Sequence, residues 1–204
     1  MNKILKNTLI LTAITVVAGL LLGVVYGVTK EPIARTQENT KQAAFRSVLA
    51  DADSFETVDG LDTDAAAALL KENGYTSDDI AEVAEGKDAS GETIGYVINV
   101  TSHEGYGGDI DISVGIREDG TVTGIEMLSI SETAGLGMKA KDDPSWGKQF
   151  AGKKVESFSV VKDGSGSGDD AKIDAISGAT ITSKAVTGAM NSCLAYFQSL
   201  EGGN

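Results

Sequence analysis

The sequence predicts an α+β protein in which an N-terminal transmembrane helix precedes an antiparallel-sheet domain with flanking helices. Residues 7–29 contain no charged side chain, and a helix of this length spans about 35 Å, against about 30 Å for the hydrocarbon core of a bilayer. Residues 93–131 are rich in β-branched side chains and alternate in polarity, which is typical of paired strands. Residues 185–200 follow an amphipathic helical pattern.

Composition limits the classes of function. The chain of 204 residues has a formal charge of −13, and because residues 1–29 carry only two lysines as charges, residues 30–204 carry −15. Such an acidic surface argues against nucleic acid as a partner. With one cysteine and one histidine, the sequence excludes an internal disulfide and a Cys/His cluster for zinc, haem or iron–sulfur. We predict a buried, inert thiol for Cys193 and a surface position for His103.

A cleaved signal peptide is the alternative for residues 1–29. Its apolar core usually covers about 7–15 residues and precedes a small-x-small cleavage site. The run here is longer and no convincing Ala-x-Ala sequence follows it, so we predict an uncleaved transmembrane anchor. The charges do not decide its orientation, because two lysines precede the span and four basic residues follow it before residue 50.

Two further helices are predicted between the anchor and the sheet. Glu31-Pro32 suits a helix start, and an apolar stripe runs from Ile33 to Leu49, so residues 30–50 are predicted as a stalk helix that docks on the domain of residues 51–204. Residues 62–73 are predicted as a short helix that ends at Gly74.

The rest of the domain is predicted to be mostly sheet. A short helix at residues 144–150 packs Trp146 and Phe150 on it, and residues 163–170 form a flexible acidic loop that makes a hairpin-type connection. The turn at residues 118–121 joins two strands of a hairpin. The predicted strands are 80–85, 93–101, 109–116, 122–131 and 155–161.

The stretch from Asp174 to Lys184 is the strongest candidate for chemistry. Small residues and hydroxyls crowd the start of the last helix, where backbone N–H groups and the helix dipole can bind phosphate. Gly178 would let a ligand approach the backbone closely. Lys184, one helical turn after Thr180, could pair with an anion. On the residues alone, an ordinary N-cap with a glycine turn is the commoner explanation.

Two glycine-containing segments could line a ligand site. In residues 104–108 three glycines surround Tyr106, which suits a tight bend beside a ligand, although a plain flexible loop explains it equally well. Residues 131–139, Ser-Glu-Thr-Ala-Gly-Leu-Gly-Met-Lys, combine small residues with Thr133 and Leu136. On the residues alone, a loop that starts a short helix is the commoner explanation of this second segment.

Asp-x-x-Ser-Gly-Ala-Thr, residues 174–180, resembles the flavinylation motif of membrane-bound respiratory flavoproteins. The whole chain resembles the G subunit of the Rnf complex, the ion-translocating ferredoxin:NAD oxidoreductase, and the relationship extends to the C subunit of the Na⁺-translocating NADH:quinone reductase. The segment Glu-Pro-Ile-Ala at residues 31–34 is similar to one that recurs in the G-subunit family. Residues 132–137 resemble the family's Glu-Thr-Pro-Gly-Leu-Gly loop, with Ala134 in place of proline.

The resemblance implies an FMN site. A flavin transferase would esterify the phosphate of FMN to Thr180, beside Ser177, Gly178 and Ala179. The second loop would pack non-covalently around the flavin, through Thr133 as a hydrogen-bond donor, Gly135 for close approach and Leu136 as apolar cover. The acidic domain should disfavour the extra negative charge of a reduced, anionic flavin, unless Lys139 or Lys184 offsets that charge locally.

The implied function is electron relay, through covalent FMN, within a membrane complex that couples ferredoxin–NAD redox to ion translocation. The implied partners are the other Rnf subunits, a flavin transferase for maturation and membrane lipid, and the domain of residues 51–204 would lie outside the cytoplasm. The alternatives are the C subunit of the quinone reductase and a flavin-free, membrane-tethered binding domain. A serine/threonine hydrolase is the weakest, because no histidine or acid is spaced near Ser177 or Thr180 for a triad.

Overall fold

A computed structural model describes residues 2–202. Met1, in the predicted anchor, and residues 203–204, in the predicted domain, lie outside the described residues. The chain divides into two compact units between Lys41 and Gln42.

The first element, α1, runs without interruption from Lys3 to Val48 and contains Pro32 in its interior. The predicted helix start at Glu31-Pro32 is therefore wrong, whereas the division of residues 1–50 into an anchor and a stalk stays a prediction. Proline removes one backbone hydrogen bond and strains the preceding turn, but most residues from 34 to 48 are not helix breakers and helix propagation continues past it. Within the described residues, α1 is the helix whose length and composition suffice to cross a membrane.

The second unit is built on a five-stranded sheet in the order β1-β2-β3-β4-β5, with every neighbouring pair antiparallel. The helix α2, Thr63–Glu72, connects β1 and β2 in the sequence. Its N-cap is Asp62, whose side chain accepts the Ala65 N–H at 2.9 Å. The sheet and the hairpin at residues 118–121 confirm the predicted fold class. The strands are β1 Ser54–Thr57, β2 Asp78–Lys87, β3 Thr93–Ser102, β4 Ile110–Arg117 and β5 Val122–Ile130.

Apolar side chains of the sheet pack against helices on both of its faces. One face packs against α2 and the C-terminal helix α5, Thr180–Gly202, around a core that includes Cys193. Burial raises the pKa of the Cys193 thiol, as expected for an inert core cysteine. On the other face, Phe45 and Val48 at the end of α1 pack together with Ala84 and Val97 of the sheet.

The helix α5 begins at Thr180, five residues before the predicted start at Ala185. Its first turn is rich in hydroxyl and β-branched residues, which have low helix propensity. Tertiary burial overrides that preference, because Thr182 and Ser183 are almost fully buried. The consequence is that Thr180 is the first residue of the helix.

The segment between β5 and α5 differs from the prediction in one connection. It contains two short helices, α3 (Lys139–Asp142) and α4 (Pro144–Gly147), and the short strands β6 (Ser159–Val161) and β7 (Lys172–Asp174). Trp146 and Phe150 are buried as predicted. The strands β6 and β7 pair in parallel, so the predicted hairpin-type connection over residues 163–170 is wrong. The connection contains a 3-10 helix, Ser165–Gly168.

Candidate functional site

The start of α5 is formed by a tight turn. Gly178 has a φ of +77°, a conformation that favours glycine, and the turn places Ala179 just before the helix. Ser183 holds this geometry, because its Oγ accepts the Ile176 N–H and donates to the Ala179 carbonyl, both at 2.9 Å. The turn that precedes Thr180 is thus fixed from inside the helix.

The hydroxyls in the first turn of α5 are not equivalent. Thr182 is 1% exposed and its Oγ1 donates to Glu132 Oε2 at 2.9 Å. Ser183 is fully buried and bonded as described. Thr180 is half-buried, and within residues 2–202 its hydroxyl has no hydrogen-bond partner. Of these three hydroxyls, only that of Thr180 lacks a hydrogen-bond partner in the described residues.

The first backbone N–H groups of α5 also lack hydrogen-bond acceptors among the described residues. Across the described part of the chain, no acceptor bonds the N–H groups of Thr180, Ile181 or Thr182. Alanine at position 179 has no side-chain oxygen to cap them. Three donors and the positive end of the helix dipole meet here, which is an arrangement suited to phosphate.

A cleft of about 570 Å³ opens at this helix start. Its rim is apolar and unusually exposed for large side chains: Tyr106 is 71%, Leu136 42% and Ile181 52% exposed. The cleft is lined by Tyr106, Glu132, Thr133, Leu136, Gly137, Gly178, Ala179, Thr180, Ile181 and Thr182.

The cleft brings together Tyr106 and five of the nine residues that the family resemblance suggested for the flavin site. Ser177 and Gly135, by contrast, lie in exposed turns outside the lining. Lys139, at the start of α3, and Lys184, one turn into α5, also lie outside it. The five suggested residues in the lining are Thr133, Leu136, Gly178, Ala179 and Thr180.

Glu132 is the lining residue whose role the sequence analysis missed. It is 8% exposed, and its Oε1 accepts the Gly107 N–H at 3.1 Å while Oε2 accepts the Thr182 hydroxyl. A Cβ at Gly137 would lie 2.5 Å from Thr182 Oγ1 and 2.6 Å from Glu132 Oε2, so only glycine fits there. The one available signal was the position of Glu132 inside the quoted loop motif.

Comparison with known proteins assigns the family. An FMN-binding domain model matches residues 105–195, and a model of the RnfG N-terminal region matches residues 1–48. The G subunit of the Na⁺-translocating ferredoxin:NAD⁺ oxidoreductase complex of Acetobacterium woodii is 36% identical, over 97% of this chain and 93% of the relative. This chain belongs to the family of Rnf complex G subunits.

Another member and one solved structure are also similar to this chain. The G subunit of the proton-translocating ferredoxin:NAD⁺ oxidoreductase complex of Clostridium ljungdahlii is 33% identical, over 99% of this chain and 96% of the relative. A crystal structure of Shewanella oneidensis NqrC matches with a TM-score of 0.49 and 27% identity, over 61% of this chain and 62% of that one. The FMN-binding domain match includes every residue that lines the cleft.

His103, Asp79 and Asp109 form a hydrogen-bonded group, here called the histidine clasp, at the base of the loop that carries Tyr106. His103 Nδ1 lies 2.8 Å from Asp109 Oδ1, and Nε2 lies 2.9 Å from Asp79 Oδ2. His103 follows β3 and Asp109 precedes β4, so the clasp joins the two ends of the loop. The hydrogen bond to Asp109, followed by that to Asp79, raises the pKa of His103 to about 9.

The clasp predicts a pH-dependent stability. The folded pKa lies above the unfolded value of 6.5, so the stabilisation is fully present below that pH and is lost as pH rises through about 9. Because the imidazole is 44% exposed, we expect Tm to fall by only about 2–4 °C across this window. Between pH 6.5 and about 9, the Tm of His103→Gln should fall less with pH than the Tm of the wild type. If Tm falls equally in the two proteins, the histidine clasp is not the source of the pH dependence.

Proposed function

We propose that this chain relays electrons within an ion-translocating ferredoxin:NAD oxidoreductase complex through FMN bound covalently to Thr180. The observation that carries the proposal is the state of the Thr180 hydroxyl. It lines the cleft at the helix start and has no hydrogen-bond partner in residues 2–202, whereas Thr182 and Ser183 are buried and bonded.

The residues of the cleft fit FMN. Its volume lies within the range of about 300–1,000 Å³ that is usual for cofactor sites, and the apolar rim of Tyr106, Leu136 and Ile181 suits a flat aromatic ring. The unbonded N–H groups at the start of α5 suit a phosphate ester on Thr180.

The protein's part in the redox function is to hold and surround the cofactor. Bound flavin accepts and releases electrons. A phosphoester at Thr180 would prevent loss of the cofactor by dissociation. The N–H groups at the start of α5 would neutralise part of the phosphate charge, and Tyr106, Leu136 and Ile181 would shield the ring from water. Thr133, beside the cleft, is available as a hydrogen-bond donor to the ring.

Formation of the ester requires a defined exchange of bonds. The Thr180 oxygen attacks the FMN-side phosphorus of FAD, the pyrophosphate bond breaks and AMP leaves, while the hydroxyl proton passes to a base on the transferase. No electron is transferred in this step. Intact-protein mass tests the product: one FMN less one water should be added when a flavin transferase is present, and an unmodified mass under those conditions would refute the proposal.

The proposed attachment to the membrane rests on α1, and the proposed side of the membrane rests on the family resemblance of the sequence. The exposed apolar side chains of α1, such as Leu20 and Leu22 at 65% and 71% exposure, suit contact with lipid. We propose that α1 spans the membrane once, that the other subunits of the complex are the redox partners, and that the FMN-binding domain lies outside the cytoplasm. Long domains can cross the membrane regardless of the charges near the span.

This topology predicts the outcome of proteolysis. Protease added to intact spheroplasts should digest the FMN-binding domain, while a cytoplasmic marker protein stays protected until lysis. Immunoblotting against the C-terminal region measures both. Complete protection of the domain before lysis, with digestion afterwards, would place it in the cytoplasm.

A further inference from the structure

Glu132 places a negative charge in the wall of the cleft. Both of its carboxylate oxygens accept hydrogen bonds, one from the Gly107 N–H and one from the Thr182 hydroxyl. Acceptance at both oxygens is the pattern of an ionised carboxylate. Because the side chain is only 8% exposed, water screens this charge less than it screens the acidic residues of the surface.

The structure offers this carboxylate no cationic partner. Among the described residues, no lysine, arginine or histidine lies within ion-pair distance of Glu132, and none lines the cleft. Lys139 and Lys184, which the sequence suggested as offsetting charges, lie outside the lining. The neutral donors satisfy the hydrogen-bonding capacity of Glu132 but leave its net charge in place.

The position of the charge is fixed relative to Thr180. Glu132 ties together the loop of Gly107, its own loop, and the first turn of α5 at Thr182, two residues after Thr180. Gly137 packs against the Glu132 side chain so closely that a Cβ at position 137 would lie 2.6 Å from Oε2. A cofactor attached to Thr180 and seated in the cleft would therefore share it with this charge.

We propose that Glu132 lowers the midpoint potential of the flavin, an inference that rests on the proposed function. Reduction adds negative charge to the cofactor, and a fixed, weakly screened carboxylate in the same cleft opposes it. Glu132 thereby makes the reduced cofactor a stronger electron donor. The residue acts through its field and through its contacts with the cleft walls, without being reduced or oxidised itself.

The test is a redox titration of the flavinylated full-length chain in detergent. Glu132→Gln removes the charge but keeps an oxygen for the Gly107 N–H and an amide that can donate to Thr182. Glu118→Gln, in the exposed turn at the other end of β4, makes the same change in net charge away from the cleft. We expect a positive shift of the midpoint potential for Glu132→Gln and none for Glu118→Gln.

Two other results would overturn the proposal: an unchanged potential in Glu132→Gln, or an equal shift in both variants. Thermal unfolding of the unflavinylated proteins checks the fold independently. If Glu132→Gln does not fold, Thr182→Val replaces it. Thr182→Val keeps the Glu132 charge and removes a hydrogen-bond donor that partly offsets that charge. The midpoint potential of this variant should therefore be at or below that of the wild type. A higher potential in Thr182→Val would overturn the proposal, and a wild type without FMN by mass would overturn the proposed function and this inference with it.

Discussion

Replacing Thr180 by valine is expected to abolish covalent FMN while leaving the domain folded. Valine has nearly the shape of threonine, and the hydroxyl that it removes makes no hydrogen bond within residues 2–202, so little stability should be lost. Intact mass should show no adduct in Thr180→Val purified from cells that contain the flavin transferase. Thermal unfolding of the unflavinylated protein should give a Tm within about 2 °C of the wild type.

Neighbouring hydroxyls provide the controls for this substitution. Ser177→Ala should retain FMN, because Ser177 lies in the exposed turn before the helix. Thr182→Val should retain at least part of it, although the loss of the hydrogen bond to the Glu132 carboxylate should lower the free energy of unfolding by about 2 kcal/mol. A peptide map that finds FMN on Thr182 or Ser183 would contradict the assignment to Thr180.

The central sheet could be predicted because its pattern is local. Ile110, Ile112, Val114 and Ile116 alternate along β4, and all four are fully buried. Antiparallel strands joined by short turns need no information beyond this alternation and the turn residues. The fold class and the main hairpin followed directly.

The parallel pairing of β6 and β7 could not be read in the same way. Each strand has only three residues, too few to show a period. The arrangement of these two strands depends on tertiary contacts. The Asp174 carboxylate accepts the Gly166 N–H at 3.1 Å, and the backbone carbonyl of Asp174 accepts the Trp146 indole N–H at 2.8 Å. Such contacts leave no signature in a sequence window.

The candidate site likewise contains residues that sequence motifs indicate and residues whose role depends on tertiary contacts. Thr180 and the loop around Leu136 lie in motifs that resemble those of a known family, and this resemblance, rather than the residue types alone, pointed to the site. Glu132 could not be assigned a buried role, because an acid in a polar loop is normally exposed. Its burial depends on Gly107, which is 25 positions away, and on Thr182, which is 50 positions away.

The protein is expected to be unable to attach its own flavin. A threonine hydroxyl is a poor nucleophile unless a base or a metal activates it. Both ring nitrogens of His103 are engaged by Asp79 and Asp109, and both oxygens of Glu132 already accept hydrogen bonds. Across residues 2–202, no group of three or more His, Cys, Asp or Glu side chains could hold a metal ion.

We therefore expect an outside transferase to supply FAD, a metal ion and the activating base. Full-length protein made without it should be folded and colourless, and purified protein should become yellow when transferase, FAD and Mg²⁺ are added together. Gel fluorescence after denaturation distinguishes the covalent product from free flavin. Covalent labelling by FAD alone, with no transferase present, would show the expectation to be wrong.

The transferase is expected to recognise the turn between β7 and α5, with Asp174 as part of the recognised surface. Asp174→Ala should slow flavinylation at least about tenfold, the rate equivalent of about 1.4 kcal/mol, without unfolding the domain. Because the carboxylate also accepts the Gly166 N–H, Asp174→Asn is the matched variant, since its amide oxygen can keep that bond while the charge is lost. Slow labelling in both variants, at unchanged Tm, indicates recognition of the charge. Normal labelling of Asp174→Ala would remove Asp174 from the recognised surface.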